Sequence, residues 1–287
     1  MKNADDVLTF LAVARAESIS AAARLLGNDP ATVGRKVQRL EDTLRATLFA
    51  KSPRGYHLTE AGLRLLERAE EMETVLLEID GAFSQSGRQL QGRVRIGAPD
   101  GCATFLLPQI CAQLSKDHPG LVLEVVASSR EFDLLNREVD LAISVTEPSA
   151  KALVTQPLAD YKLHFAAARS VVEDHGEDLA DVPLISYIPE LLVDPGLDIP
   201  SSFRTKEPSL RSNSVLVQWA WLKSGQGIGL VHDFAYQDDL DLVRVYPEFE
   251  LDRSYFLTTR RDDNRFKRME TLVERIHTDI CDALATR

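Results

Sequence analysis

Ser18-Ile19-Ser20-Ala21-Ala22-Ala23-Arg24-Leu25-Leu26-Gly27-Asn28-Asp29-Pro30-Ala31-Thr32-Val33-Gly34-Arg35-Lys36-Val37 is the stretch on which the reading of this chain turns. Ser18 is a favoured N-cap type, and Ala22, Ala23, Leu25 and Leu26 supply the apolar positions of a short helix behind it. Gly27 ends that helix. Asn28 and Asp29 can cap a third one, whose first turn tolerates Pro30. Val33, Val37, Leu40 and Leu44 then lie on one stripe at helical spacing. Ala21, Ala22 and Ala23 are small enough for the two helices to approach closely, as a helix-turn-helix requires. Upstream, Val7, Phe10, Leu11 and Ala14 mark an amphipathic first helix.

Downstream, Leu48 to Lys51 and Tyr56 to Leu58 flank a Ser52-Pro53-Arg54-Gly55 turn, which reads as a β-hairpin with a basic tip. Thr59 is an N-cap for a long helix running to about Gly87. Along it Leu65, Ala69, Met72, Leu76, Ile79 and Phe83 alternate spacings of four and three, the rhythm of a coiled-coil seam for dimerisation. The competing reading is a helix packed on its own domain. Ser84 to Gly92 is polar and reads as a linker. Beyond it the texture changes to strands (93–98, 121–127, 140–145, 162–167, 183–187, 227–231, 254–259) alternating with helices (105–115, 132–137, 213–224, 266–285), a pattern of parallel α/β architecture.

The chain of 287 residues carries a net charge of −11, which by itself argues against a polyanion partner. The charge is unevenly distributed. Residues 1–65 hold ten Lys/Arg against seven Asp/Glu, and 30–56 hold six against two. A small basic module on an acidic body suits nucleic acid at one end only. No apolar run reaches membrane-span length, and the first twenty residues lack a signal peptide's pattern, so a cytoplasmic location is expected. Cys102, Cys111 and Cys281 are too few and scattered for a disulfide framework or zinc cluster. No cofactor or metal is expected.

Residues 7–66 resemble the DNA-binding domain of LysR-type transcriptional regulators. The likeness rests on Phe10, on residues 18–25 and 30–37, on Arg39-Leu40-Glu41, Leu44 and Leu48-Phe49, and on Leu58-Thr59-Glu60-Ala61-Gly62. It extends more weakly through Gly92-Arg93-Val94-Arg95-Ile96-Gly97, Leu107-Pro108, His118-Pro119, residues 139–143 and Gly225-Gln226-Gly227-Ile228-Gly229. Departures from the family pattern are Asn28-Asp29, Gly34, Arg45 and Lys51. The resemblance implies an N-terminal all-α winged helix-turn-helix (1–62), a linker helix and hinge for dimerisation (63–92), and an α/β two-lobed, periplasmic-binding-protein-like sensor domain (93–287). Lobe one is expected at 93–163 and 266–287 and lobe two at 164–265, with crossings near 163–167 and 259–265. The implied partners are double-stranded DNA, a small-molecule effector, a second copy in a homodimer or homotetramer, and RNA polymerase.

The third helix places Ala31, Arg35 and Arg39 on one face, with Pro30, Thr32 and Lys36 beside them. Arg35 is the candidate for a guanine edge in the major groove. Asp29 is an acceptor that favours a base donor. Lys36, Arg39, Lys51 and Arg54 are expected on phosphates, with Ser18 and Ser20 adding backbone contacts. All these positive side chains are expected to converge on one surface. In the sensor domain an effector between lobes would meet the ends of strands. Pro99, Asp100, Cys102, Ser128, Ser129 and Thr146 are expected from lobe one, and Tyr187 and Ile188 from lobe two, with less support for His232. Ser128, Ser129 and Asp100 suit helix caps equally well. Free amides near Ala103-Thr104 are a candidate carboxylate site.

Three other classes fit the chain less well. A cytosolic α/β enzyme would lack a Walker loop, a nucleophile elbow and a metal-spaced His pair. A solute-binding protein does not need the basic N-terminal module, and a ligand-independent architectural DNA-binding protein does not need the sensor region.

Overall fold

The computed structural model describes residues 4–52, 55–83, 90–176, 179–192, 197, 208–236, 241–263 and 267–285. The chain forms two compact units, Met1–Gly87 and Arg88–Arg287. Among the described residues no helix is long and apolar enough to cross a membrane.

In the first unit, α1 (Ala4–Ala16), α2 (Ile19–Leu26) and α3 (Pro30–Leu44) precede the hairpin β1 (Phe49–Ser52) and β2 (Gly55–Leu58), and α4 (Glu60–Phe83) follows. Local chemistry explains the breaks. Ser18 Oγ accepts the Ala21 amide at 3.3 Å, and Gly27 closes α2 in the left-handed region at φ 62°. Asp29 Oδ1 accepts the Ala31 amide at 2.8 Å, and Pro30 opens α3. Thr59 Oγ1 accepts the Gly62 amide at 3.1 Å at the start of α4. Arg45 ends α3 at φ 51°, a conformation costly to a residue with a Cβ.

Val7, Phe10, Leu11, Ala22, Ala23, Val33, Val37 and Leu40 build the core of this unit, sealed by Leu48 and Phe49. The expected coiled-coil seam is divided. Leu65, Ala69 and Met72 pack on this same core, and Arg15 of α1 grips Glu73 of α4 through two bonds of 2.8 and 2.7 Å. Ala69, buried there, is corrected to intramolecular packing, whereas Leu65 and Met72 are half-buried against the same core. A four-three apolar repeat looks alike whether it meets its own domain or a second copy. Leu76 is half-buried and Ile79 is 50% exposed; the Phe83 side chain lies outside the described residues.

The second unit runs β3 (Gly92–Ala98), α5 (Asp100–Phe105), α6 (Leu107–Asp117), β4 (Leu121–Ala127), β5 (Leu141–Ser144), β6 (Leu153–Ala168), α7 (Arg169–His175), β7 (Ile185–Ser186), β8 (Leu210–Arg211), α8 (Val215–Lys223), β9 (Ile228–His232), α9 (Asp233–Tyr236), β10 (Leu242–Arg244), β11 (Glu250–Arg260) and α10 (Lys267–Ala285). The main sheet is ordered β10-β6-β11-β5-β3-β4, with β9 also on β6. β3 pairs in parallel with β4 and β5, whereas β6 and β11 pair antiparallel. The sheet is thus mixed rather than parallel.

β6 and β11 are the two crossings. Leu153–Pro157 pairs with the part of β11 that also pairs β5, and Leu163–Ala167 pairs with β9 in the second lobe. The register shifts between Tyr255 and Phe256. Both crossings therefore lie several residues earlier than expected, and lobe one resumes at about Phe256. The strands expected at 162–167 and 254–259 are parts of these two longer strands, which hold each other across Pro157, Asp160 and Arg253. The expected helix at 132–137 is a turn, with Arg137 at φ 57° and Asn136 bonded to Asp133. α10 returns to lobe one, where the Leu158 carbonyl accepts a bond from the Cys281 thiol at 3.0 Å.

Candidate functional site

On the first unit, α3 presents Pro30, Ala31, Arg35, Gln38 and Arg39 to solvent, with Thr32 half-buried beside them. Arg35 Nη2 donates to Thr32 Oγ1 at 3.0 Å, which holds the guanidinium near the N-terminal end of the helix. The basic side chains do not all converge there. Lys36 Nζ lies 2.6 Å from Asp5, with only 18% of its side chain exposed. Arg39 grips Asp6 through both carboxylate oxygens, its Nε at 2.7 Å from Oδ2. Asp6 is 3% exposed. These two cations bind α3 to the acidic start of α1, and Arg39 keeps 55% of its side chain exposed while doing so. Sequence distance hides this pairing, since Asp5 and Asp6 look like ordinary first-turn acids.

Asp29 is likewise taken up as the α3 cap. Ser18 caps α2, and Ser20 is exposed. The Lys51 side chain and all of Arg54 lie outside the described residues. Gln38 escapes a reading from sequence alone. It stands three residues after Arg35 on the exposed face, its amide bonded to Asp42 at 3.0 Å. A glutamine there suits adenine.

On the second unit, a cavity of about 560 Å³ opens between the lobes. Pro99, Asp100, Ser128, Ser129 and Thr146 line it from lobe one, and Tyr187 and His232 from lobe two. Two expected residues do not. Cys102 is fully buried in the core beneath α5, where burial pushes its thiol far up. Ile188 is half-buried and off the lining, because extended backbone turns its side chain opposite to Tyr187. The Ala103 amide is bonded to the Pro99 carbonyl at 2.9 Å, which removes it as a carboxylate site. Lining residues that the sequence does not announce include Phe132, Tyr161, Asn213 and Tyr255.

Polar bonds cross the cleft. Asp100 Oδ2 accepts the Val215 amide at 2.6 Å and the Ser214 hydroxyl at 3.0 Å, so a lobe-one carboxylate caps α8 of lobe two. Asn213 donates to Ser129 Oγ at 2.8 Å. At the same end His232 stacks on Tyr161, which stacks on Tyr255 with centroids 4.3 Å apart. A Cβ on Gly101 would stand 2.6 Å from the His232 ring, so this position admits only glycine while the ring stays in place.

Burial lowers His232 to about 4, with His164 adding to the effect, and burial likewise lowers His164 to about 4. Both folded values lie below the ordinary histidine value, so between about 6.5 and 4 the unfolded chain binds protons that the folded one refuses. Stability must therefore fall as pH drops through that window. The urea midpoint of the second unit is expected to decline from pH 6.5 to 4, and more shallowly in His232→Gln. Parallel profiles for the two proteins would contradict this.

Residues 4–63 match the family described as "Bacterial regulatory helix-turn-helix protein, lysR family", and residues 87–280 match "LysR substrate binding domain". The chain is 26% identical over 285 residues to the HTH-type transcriptional activator TtdR of Escherichia coli (strain K12), covering 94% of this chain and 91% of that one. A full-length OxyR variant from Pseudomonas aeruginosa is similar with a TM-score of 0.68 at 18% identity, covering 99% of this chain and 97% of that one. CrgA from Neisseria meningitidis is similar with a TM-score of 0.57 at 21% identity, covering 97% and 99%. At these identities the two structures speak for the shared fold.

Proposed function

The chain belongs to the LysR family of bacterial transcriptional regulators, and on that premise we propose how its own residues divide the work. It is a DNA-binding regulator with an effector-binding domain. The observation that carries the finer reading is the exposed face of α3, where Ala31, Arg35, Gln38 and Arg39 are presented beside half-buried Thr32, with Lys36 and Arg39 also paired to carboxylates of α1. Small residues at the helix start allow close entry into a major groove about 12 Å wide, and Arg35 and Gln38 then reach base edges. The effector sits in the interlobe cavity, against Asp100, Ser128, Ser129, Thr146, Tyr187 and His232. It acts by competing with or reinforcing the Asp100 and Asn213 bonds across the cleft, because only differential affinity for two lobe arrangements shifts their balance. The enzyme and architectural alternatives are left without support.

One reading head makes few contacts, so a second copy is required for tight binding. Val75 and Ile79, 42% and 50% exposed and one helical turn apart on α4, offer the apolar surface for that copy. Footprinting on upstream DNA is expected to show two protected half-sites related by a partial dyad. Val75→Glu with Ile79→Glu is expected to leave a monomer and a weakened footprint. Uniform protection of every sequence would defeat the base-reading proposal, and an unchanged dimer in the double variant would defeat the α4 one.

A further inference from the structure

Charge around the interlobe cavity is one-sided. Asp100, Glu131, Asp133 and Glu147 line it, and among the described lining residues Arg130 is the cation. Arg130 is itself paired with Glu138, with Nη1 at 3.0 Å from Oε2, so its charge is met outside the cavity. Glu131 is turned toward the cleft, where Thr146 Oγ1 donates to it at 3.3 Å. The place where a helix would ordinarily receive an anion, the N-terminus of α8, already holds the Asp100 carboxylate. An anionic ligand would have to displace that carboxylate and enter a surplus of negative charge.

A second, independent feature lies at the deep end. His232 Nδ1 is buried without a hydrogen-bond partner, and His232 lines the cavity together with Tyr255, whose hydroxyl interacts with Tyr161. His232 is 6% exposed and Tyr255 fully buried. A buried polar atom left unmet costs stability, so His232 Nδ1 marks an incomplete site. Tyr161 is stacked between His232 and Tyr255, which holds the His232 ring in place. Burial keeps His232 neutral at neutral pH, so its ring can accept a proton donor and adds no positive charge.

From the carboxylate-lined walls, the filled α8 terminus and the unmet acceptor at the aromatic end, we infer that the effector is a small organic cation, a primary ammonium on a compact hydrocarbon body. Its ammonium donates to His232 Nδ1, and its charge is balanced by Glu131 and Glu147. This inference rests on the proposal that the interlobe cavity is the effector site.

The test is titration calorimetry on the full chain at neutral pH with two probes of one skeleton, phenethylamine and 3-phenylpropionate. Phenethylamine is expected to bind about tenfold or more tightly than the carboxylate, with affinity that falls as salt rises. Glu131→Gln with Glu147→Gln, both exposed positions, is expected to erase about tenfold of that preference. Equal or tighter binding of 3-phenylpropionate, no binding of phenethylamine, or an unchanged preference in the double variant would overturn the inference. Thr146→Trp, checked for an unchanged melting profile, separates the two layers. Carboxylate binding at least as tight as that of phenethylamine, and abolished by Thr146→Trp, keeps the cavity and removes the cation. Binding of either probe that survives Thr146→Trp removes the cavity reading itself.

Discussion

Gly62→Ala is expected to lower the melting temperature of the DNA-binding unit by on the order of 10 °C and to abolish DNA binding near the new midpoint. Gly62 is buried in the first turn of α4, and a Cβ there would stand 2.2 Å from the Leu48 carbonyl oxygen and 2.9 Å from Leu58 Cδ2. The first neighbour is backbone and cannot rotate away. That same carbonyl accepts the Thr59 amide at 2.9 Å, and Thr59 Oγ1 donates to the Thr47 carbonyl at 2.6 Å. The helix start and the strand that begins the wing are thus joined where the new methyl would intrude. Overpacking of this kind costs roughly 1–3 kcal/mol, a large share of a small domain's stability. Gly34→Ala is the control. Its nearest atom is Ile19 Cδ1 at 3.8 Å, and a helix-interior alanine is worth about 0.5–1 kcal/mol over glycine. Circular dichroism melts of the two variants should move in opposite directions. A Gly62→Ala melt equal to wild type would show that the wing is not docked in this way.

Arg35→Ala is expected to reduce discrimination between target and non-target DNA by about 10- to 100-fold, the loss of roughly 1–3 kcal/mol from one good bidentate pair. The variant should melt like wild type, because Arg35 is exposed and its bond to Thr32 lies within the same helix. Arg39→Ala should behave in the opposite way. It leaves the buried Asp6 carboxylate without the guanidinium that meets both its oxygens, so folding is the property that suffers. Competition binding at two salt concentrations, with melts on the same preparations, separates the two. An Arg35→Ala protein that retains full selectivity would take the reading role from this residue. An Arg39→Ala protein that melts normally but loses phosphate affinity would support the role first expected for it.

The cavity shows how far site positions can be read along a chain. Pro99, Asp100, Ser128, Ser129 and Thr146 follow strands whose apolar runs are plain, so their place at the strand ends is legible directly. Tyr161 and Tyr255 are not legible in that way. They sit in the middle of β6 and β11, and their relation to the cavity depends on where those strands cross between lobes. Cys102 is misplaced by a related route: being near the cleft in sequence says nothing of which way a short helix turns its side chains.

Caps, breaks and periodicity belong to the chain alone, because each is an interaction among residues a few positions apart. Ser18, Gly27, Asp29 and Thr59 act on their own neighbours and would do so in any context. Which carboxylate takes Arg39, which surface covers Leu65 and Ala69, and which lobe caps α8 were decided in three dimensions. A charge or an apolar stripe declares that it needs a partner but not which one. The fold chooses by bringing distant candidates within contact range, and here it set carboxylates of α1 beside two of the cations that the chain alone assigns to DNA.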